Sequence, residues 1–191
     1  ASALVGWITG GLTHVMILAS AFFAALSGSA PATCAAIGGM MIPEMKKKGF
    51  PAEFSAAVQC VAGTIGPIIP PSIPMVVYAI CAGESVGALF AGGIIPGLIY
   101  AACLMVVSGL ICKKKGFGAE SKTKYDGHET WEAFKDAIWA LLVPVIVLGG
   151  IYSGVFTPTE AGAVAAAYGL IAGFFIYREL TFKDLVKILI D

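Results

Sequence analysis

Two short segments of this 191-residue chain combine residue types suited to holding a hard monovalent cation. The first reads Ser27-Gly28-Ser29-Ala30-Pro31-Ala32-Thr33 and brings three hydroxyls into seven residues. The second reads Gly66-Pro67-Ile68-Ile69-Pro70-Pro71-Ser72-Ile73-Pro74. Proline has no amide N–H and clashes with the carbonyl four residues back, so the four prolines of this stretch end any helix that enters it. The carbonyls of Gly66, Ile69 and Pro71 then lie beyond the reach of helical N–H groups. Neutral hydroxyl and carbonyl oxygens suit a hard cation such as Na⁺, with Ser27, Ser29, Thr33, Gly66, Ile69 and Pro71 as candidate ligands. Plainer readings stand beside this one. The serine segment also suits a small-residue helix contact, with Pro31 marking an ordinary helix end. The proline segment also suits a kink, although three closely spaced prolines around Ser72 exceed what a kink requires.

The elements that position these segments follow from composition. The chain is 58% hydrophobic and 13% charged, with formal net charge zero and a mean hydropathy of +0.88. Soluble domains average about 25% charged residues, so the chain reads as an all-α integral membrane protein. Short lysine clusters supply too little basic surface for nucleic acid. Five cysteines, Cys34, Cys60, Cys81, Cys103 and Cys112, stand singly without a Cys-x-x-Cys. They read as small buried hydrophobes, and neither a disulfide nor a bound metal is expected of them. Ala1 lies in an apolar context with no charged leader, which suggests an internal piece of a longer protein without a signal peptide.

A bilayer core about 30 Å thick takes about 20 apolar residues in a helix. Residues 3–26 are apolar up to the serine segment, and a second apolar run follows to Pro43, so 12–43 form a helical hairpin with its tip at 27–31. Residues 44–49 form an aqueous turn. Residues 52–65 and 74–82 are half-length helices on either side of the proline segment, and 87–111 is long enough to span. The stretch 116–131 is polar and contains His128; it enters the membrane through an interfacial helix between Trp131 and Trp139. Apolar runs at 137–152 and 158–177 follow, then an amphipathic surface helix over 178–191. Even numbers of crossings separate Lys46 to Lys48, Lys113 to Lys115, and Arg178 with Lys183 and Lys187, so all three clusters fall on one side, and a re-entrant 12–43 hairpin has both of its ends there too. By the positive-inside rule that side is the cytoplasm.

Broken backbone in hydrocarbon costs several kcal/mol per unsatisfied group, so both breaks must be buried in protein or line a cavity. Discontinuous helices meeting near mid-membrane are a recurring device of secondary transporters. Elsewhere, Thr157-Pro158-Thr159-Glu160 reads as a capping box, with Glu160 as a carboxylate that would otherwise serve a gate. Glu84 is placed at the outer interface and His14 as a polar contact in the hairpin. No Gly-x-Ser-Gly segment supports an intramembrane hydrolase, and no enzymatic activity is expected.

At these residues the sequence resembles the large membrane subunit of the tripartite ATP-independent periplasmic (TRAP) transporters. Residues 23–38 with Ile42-Pro43-Glu44-Met45 are similar to the first hairpin of that family, and 63–74 to its interrupted helix. Residues 89–97 and 149–161 also fit, so the resemblance runs in order through nearly the whole chain. Many relatives carry an aspartate where this chain has Thr33. The resemblance implies one half of an inverted-repeat, elevator-type transporter, built from a re-entrant hairpin with interrupted and continuous transmembrane helices. The partner repeat is expected beyond Asp191. It further implies a Na⁺-coupled importer of C4-dicarboxylates or related organic acids in the bacterial inner membrane, working with a small membrane subunit and a periplasmic binding protein. The six candidate ligands above would hold Na⁺, while Ser29 and Ser72 would meet the substrate carboxylate. The expected organisation is a transport half over 1–112, a cytoplasmic loop and interfacial helix over 113–136, and a helix pair with an amphipathic end over 137–191. Two other functions remain compatible with the residues: a Na⁺-coupled carboxylate symporter without a binding protein, and a non-transporting membrane scaffold whose breaks pack dry.

Overall fold

A computed structural model describes residues 10–118, 127–177, 180, 181 and 185. Expectations for residues 3–9, for the loop at 119–126 and for most of 178–191 lie outside the described residues. Among the described residues every regular element is helical. The chain forms two compact units, residues 1–134 and 135–191.

In the first unit, α1 (Gly11–Ser27) and α2 (Ala30–Lys47) make a hairpin with two residues between them. Gly28 stops α1 in the left-handed conformation, φ 59°, and its N–H returns to the Ala24 carbonyl. Ser29 is extended and caps α2, which has Pro31 in its first turn, where the missing N–H is no loss. The sequence reading ends the apolar run at Pro43, but the helix continues to Lys47. A single internal proline removes one hydrogen bond, and Lys46 and Lys47 complement the negative end of the helix dipole in the final turn.

Helices α3 (Ala52–Gly63) and α4 (Ile73–Ala82) are the two half-length pieces around the proline segment. The long helix α5 (Val86–Lys115) has 30 residues, about 45 Å, and is capped by Ser85. Its Gly93 and Gly97 face Ile68 and Ile69 of the proline segment. Helix α3 packs against α1, α2 and α5, and α4 packs on α5.

Two apolar clusters hold this unit together. One contains Met16, Ile37, Met45, Phe50 and Cys112, with Phe54 and Phe117 against it. The Phe54 and Phe117 rings are 5.3 Å apart. This cluster gathers the end of α2, the start of α3 and the end of α5, so the lysines at 46–48 and at 113–115 occupy the same end of the unit. The other cluster, Ile17, Ala24, Ala62, Ile65 and Ala101, lies behind the breaks. Cysteine burial departs from expectation: Cys112 is buried and Cys34 half-buried, while Cys60, Cys81 and Cys103 are exposed. Their helix faces are apolar, and a small thiol is as well suited to hydrocarbon as to a protein interior.

Helix α6 (Gly127–Tyr152), most of which belongs to the second unit, starts earlier than the polar sequence suggested, so the backbone of His128 and Glu129 is helical. Helix α7 (Pro158–Ile171) opens with the expected capping box. The Thr157 N–H donates to a Glu160 carboxylate oxygen at 2.8 Å, and the Glu160 N–H donates to the Thr157 hydroxyl at 3.3 Å. A π-helical turn, Ala172–Ile176, extends α7. The Tyr168 hydroxyl ties α7 to the Trp139 carbonyl of α6 at 2.9 Å. Among the described residues two helical stretches, Val86–Lys115 and Pro158–Ile176, are long and apolar enough to cross a membrane.

Shared placement of the lysine clusters sets a labelling test. In the full-length protein without native cysteines, Lys47→Cys and Lys114→Cys should react with an impermeant maleimide from the same face of sealed vesicles. Labelling from opposite faces would contradict the packing of Phe54 on Phe117.

Candidate functional site where the two breaks meet

The first break organises three oxygens. Thr33 is fully buried, and its hydroxyl donates to the Ser29 carbonyl at 2.8 Å. With that proton engaged, the Ser27 hydroxyl is the donor to Thr33 Oγ1 at 3.2 Å. The Ser27 oxygen accepts the Ser29 N–H at 3.4 Å and lies 3.5 Å from the Ser29 carbonyl oxygen. Ser27 Oγ, Thr33 Oγ1 and the Ser29 carbonyl oxygen therefore form a compact neutral cluster. The Ser29 hydroxyl is engaged separately as N-cap of α2, accepting the Ala32 N–H at 3.5 Å.

At the second break, α3 unwinds through turns. The Gly66 N–H donates to Gly63, and the Ile68 and Ile69 N–H groups donate to Ile65. The chain then bends through residues 69–71, with a cis peptide between Pro70 and Pro71, to an extended Ser72. Among the described residues no hydrogen bond reaches the carbonyl oxygens of Gly66, Ile69 or Pro71. Ser72 is buried; its hydroxyl donates to the Pro67 carbonyl at 2.7 Å and accepts the Met75 N–H at 3.4 Å, capping α4.

The fold presses the two breaks together. A Cβ on Gly28 would lie 2.6 Å from the Pro71 carbonyl oxygen and 3.2 Å from the Ile73 nitrogen. A Cβ on Gly66 would lie 3.0 Å from the Ser29 carbonyl carbon and 3.2 Å from the Ala30 nitrogen. Ser27, Ser29, Thr33, Gly66 and Pro71 thus come to one place. The Ile69 side chain packs against Gly97 of α5. Ser29 and Ser72 stand at the starts of two helices, α2 and α4, whose N-termini flank the same contact. The small-residue reading of residues 27–30 also holds, because Gly28 is where backbone meets backbone.

Among the described residues no group of three or more His, Cys, Asp or Glu side chains is positioned for a metal. The donor set is therefore hydroxyl and carbonyl oxygen, the set that fits Na⁺. A groove of about 290 Å³ bounded by Ile17, Phe54, Val58, Leu104 and Ile111 is almost wholly apolar, and no wall comes from 27–33 or 66–74. His14, also outside the site, is buried with Nδ1 3.1 Å from the Gly10 carbonyl oxygen, the polar contact expected of it.

Sequence reasoning passed over Gln59. It is 2% exposed, donates through Nε2 to the Thr33 carbonyl at 3.1 Å, and accepts from the buried Ser20 hydroxyl at 3.3 Å. One signal was present: Gln59, Gly63 and Gly66 recur at the spacing of a single helix face, and a lone amide in an apolar half-helix needs partners.

Over residues 1–191 the sequence matches the family model described as Tripartite ATP-independent periplasmic transporter, DctM component. It is similar to the C4-dicarboxylate TRAP transporter large permease protein DctM of Pseudomonas aeruginosa, 47% identical over 191 residues, covering all of this chain and 44% of that protein. It is also similar to the isethionate TRAP transporter permease protein DctMQ of Oleidesulfovibrio alaskensis, 50% identical over 184 residues, covering 95% of this chain and 28% of the relative. The sialic acid TRAP transporter large permease protein SiaM of Vibrio cholerae is 43% identical over 189 residues, 99% of this chain and 44% of its own length. The chain spans less than half the length of these relatives. A serine-capped hairpin seated on a proline-broken helix, with a family match end to end, places this chain in the tripartite ATP-independent periplasmic transporter family as a DctM component.

Proposed function

We propose that the chain is part of the large membrane subunit of a Na⁺-coupled importer of small organic anions, a multi-pass protein of the bacterial inner membrane. One observation carries this reading: the hydroxyls of the first break adjoin a second break whose Gly66 and Pro71 carbonyls accept no hydrogen bond among the described residues. In hydrocarbon such carbonyls cost several kcal/mol each unless something satisfies them, and a bound Na⁺ does so. Ser27, Thr33 and the Ser29 carbonyl supply its other oxygens. On this reading α1 and α2 form a re-entrant hairpin, and residues 1–112 are the transport half that moves in an elevator cycle.

The anion would sit beside the cation at the starts of α2 and α4, where free N–H groups and dipole ends favour negative charge. The Ser29 and Ser72 hydroxyls hold these two starts in place by capping them, which leaves recognition of the anion to the backbone. The relatives are named for C4-dicarboxylate, isethionate and sialic acid, all of them acids. A backbone-built site sensing negative charge accommodates such variety. We take C4-dicarboxylates and similar organic acids as the substrate class, delivered by a periplasmic binding protein, with a small membrane subunit bracing the complex.

The charge balance favours this arrangement. Moving a dianion inward against a negative interior costs about 2.3 kcal/mol per charge per 100 mV. Ligands without charge leave the positive charge of Na⁺ intact, so ions that outnumber the substrate charges draw on the membrane potential.

Two measurements test the proposal on the full-length protein with its partners in proteoliposomes. Ser27→Ala combined with Ser29→Ala should raise the Na⁺ concentration for half-maximal dicarboxylate uptake at least about tenfold, the scale of one or two lost polar interactions. Unchanged Na⁺ dependence would leave the serines as helix packing. Gly28→Val should abolish uptake in protein that still inserts, because the positive φ and the Pro71 carbonyl both exclude a side chain. Wild-type uptake by that variant would show that the two breaks need not touch.

A further inference from the structure

Gln59 belongs to neither break, yet it is the side chain that joins the helix leaving the first to the helix entering the second. We infer that Gln59 is a positioning residue for the cation site, fixing the first turn of α2 on α3 so that the Thr33 hydroxyl stays aligned with Gly66. This rests on the Na⁺ reading above.

Three contacts run along one face of α3 and the turn that follows it. Gln59 Nε2 donates to the Thr33 carbonyl at 3.1 Å. One turn on, Gly63 meets Cys34 and the Ala30 carbonyl, where a Cβ would lie 3.3 Å from the oxygen. At the end of the face, Gly66 meets Ser29 and Ala30. The two glycine contacts are backbone against neighbour and carry no directional preference along the helix. The amide bond is directional, and with the weaker bond from the Cys34 thiol to the Gln59 carbonyl at 3.6 Å it sets the register of α2 on α3.

Its target is the residue whose hydroxyl organises the first break. The Thr33 carbonyl is held by Gln59, and the Thr33 hydroxyl in turn holds the Ser29 carbonyl. A displacement of Thr33 is therefore passed to two of the candidate ligands together. The other end of the amide accepts from Ser20 on α1, which is fully buried. Both ends being bonded offsets the cost of burying the group. A methionine would fill the same space without that cost, so the amide is retained for direction rather than for volume.

The test compares Gln59→Met and Gln59→Leu, which remove the donor to Thr33, with Ser20→Ala, which removes the other bond and leaves that donor. The Ser27→Ala plus Ser29→Ala double variant runs alongside. Full-length complexes are assayed for Na⁺-dependent uptake and, separately, for Na⁺-induced thermal stabilisation of the purified protein, a readout independent of transport. Both Gln59 variants should raise the half-saturating Na⁺ concentration about tenfold in each assay, one hydrogen bond's worth. Half-saturating substrate at excess Na⁺ should stay within about twofold, and Ser20→Ala should shift the Na⁺ response by less than about twofold. If Leu prevents folding, Met, unbranched and close in length, carries the comparison. Lowered thermal stability with an unmoved Na⁺ response in the Gln59 variants would overturn the inference and leave Gln59 as a core contact. If the serine double variant weakens the Na⁺ response while the Gln59 variants do not, this inference alone falls. If neither moves it, the cation site falls too.

Discussion

A carbonyl in hydrocarbon has no water to turn to, and this single constraint governs how residues 10–118 are arranged. Prolines at 67, 70, 71 and 74 strip N–H groups from a segment with an apolar helix on either side. The hairpin tip at Gly28 and Ser29 covers that segment from one side, while Gly93 and Gly97 of α5 lie under Ile68 and Ile69 on another. Protein thereby replaces lipid around the break. The clusters at the lysine end and behind the breaks hold the enclosing helices in position, so the apolar core serves chiefly to keep a polar seam dry.

Within that seam the chemistry is made almost entirely of backbone and hydroxyl. Such donors carry dipoles but no net charge, so whatever they bind keeps its own charge and its response to the membrane field. A carboxylate ligand would neutralise a monovalent ion and make the loaded step electrically silent, leaving the field to act on the return of the empty site. Thr33 keeps the seam neutral. Its hydroxyl is a structural hydrogen-bond donor to the Ser29 carbonyl, so in the proposed cation site it would couple the shape of the hairpin tip to occupancy.

Much of this was legible in the sequence because proline, glycine and N-cap serine act through local rules. The break at 66–74, the hairpin tip at 27–31 and the capping box at Thr157 each follow from what those residues do to their own turn of chain. The extra turn of α2 beyond Pro43 was not legible, since one proline weighs little against a favourable basic C-terminus. Gln59 was missed for a different reason. Its partners Ser20 and Thr33 lie 39 and 26 residues away, and only packing reveals which buried polar groups face each other. The meeting of the two breaks was open for the same reason: apolar periodicity gives a helix its lipid or protein face but not the height at which two interruptions align.

The pairing of residue 28 with residues 71–73 also constrains how the protein is made. Chains emerge from the ribosome at about 5 to 20 residues per second. The hairpin tip is therefore complete a few seconds before the proline segment that covers it exists. During that interval the orphan N–H and C=O groups of the tip have no protein partner, and hydrocarbon would penalise each of them. On the proposed re-entrant placement, the tip would wait in water, at the lipid headgroups or within the insertion machinery, and would enter the membrane interior only once its cover has been synthesised.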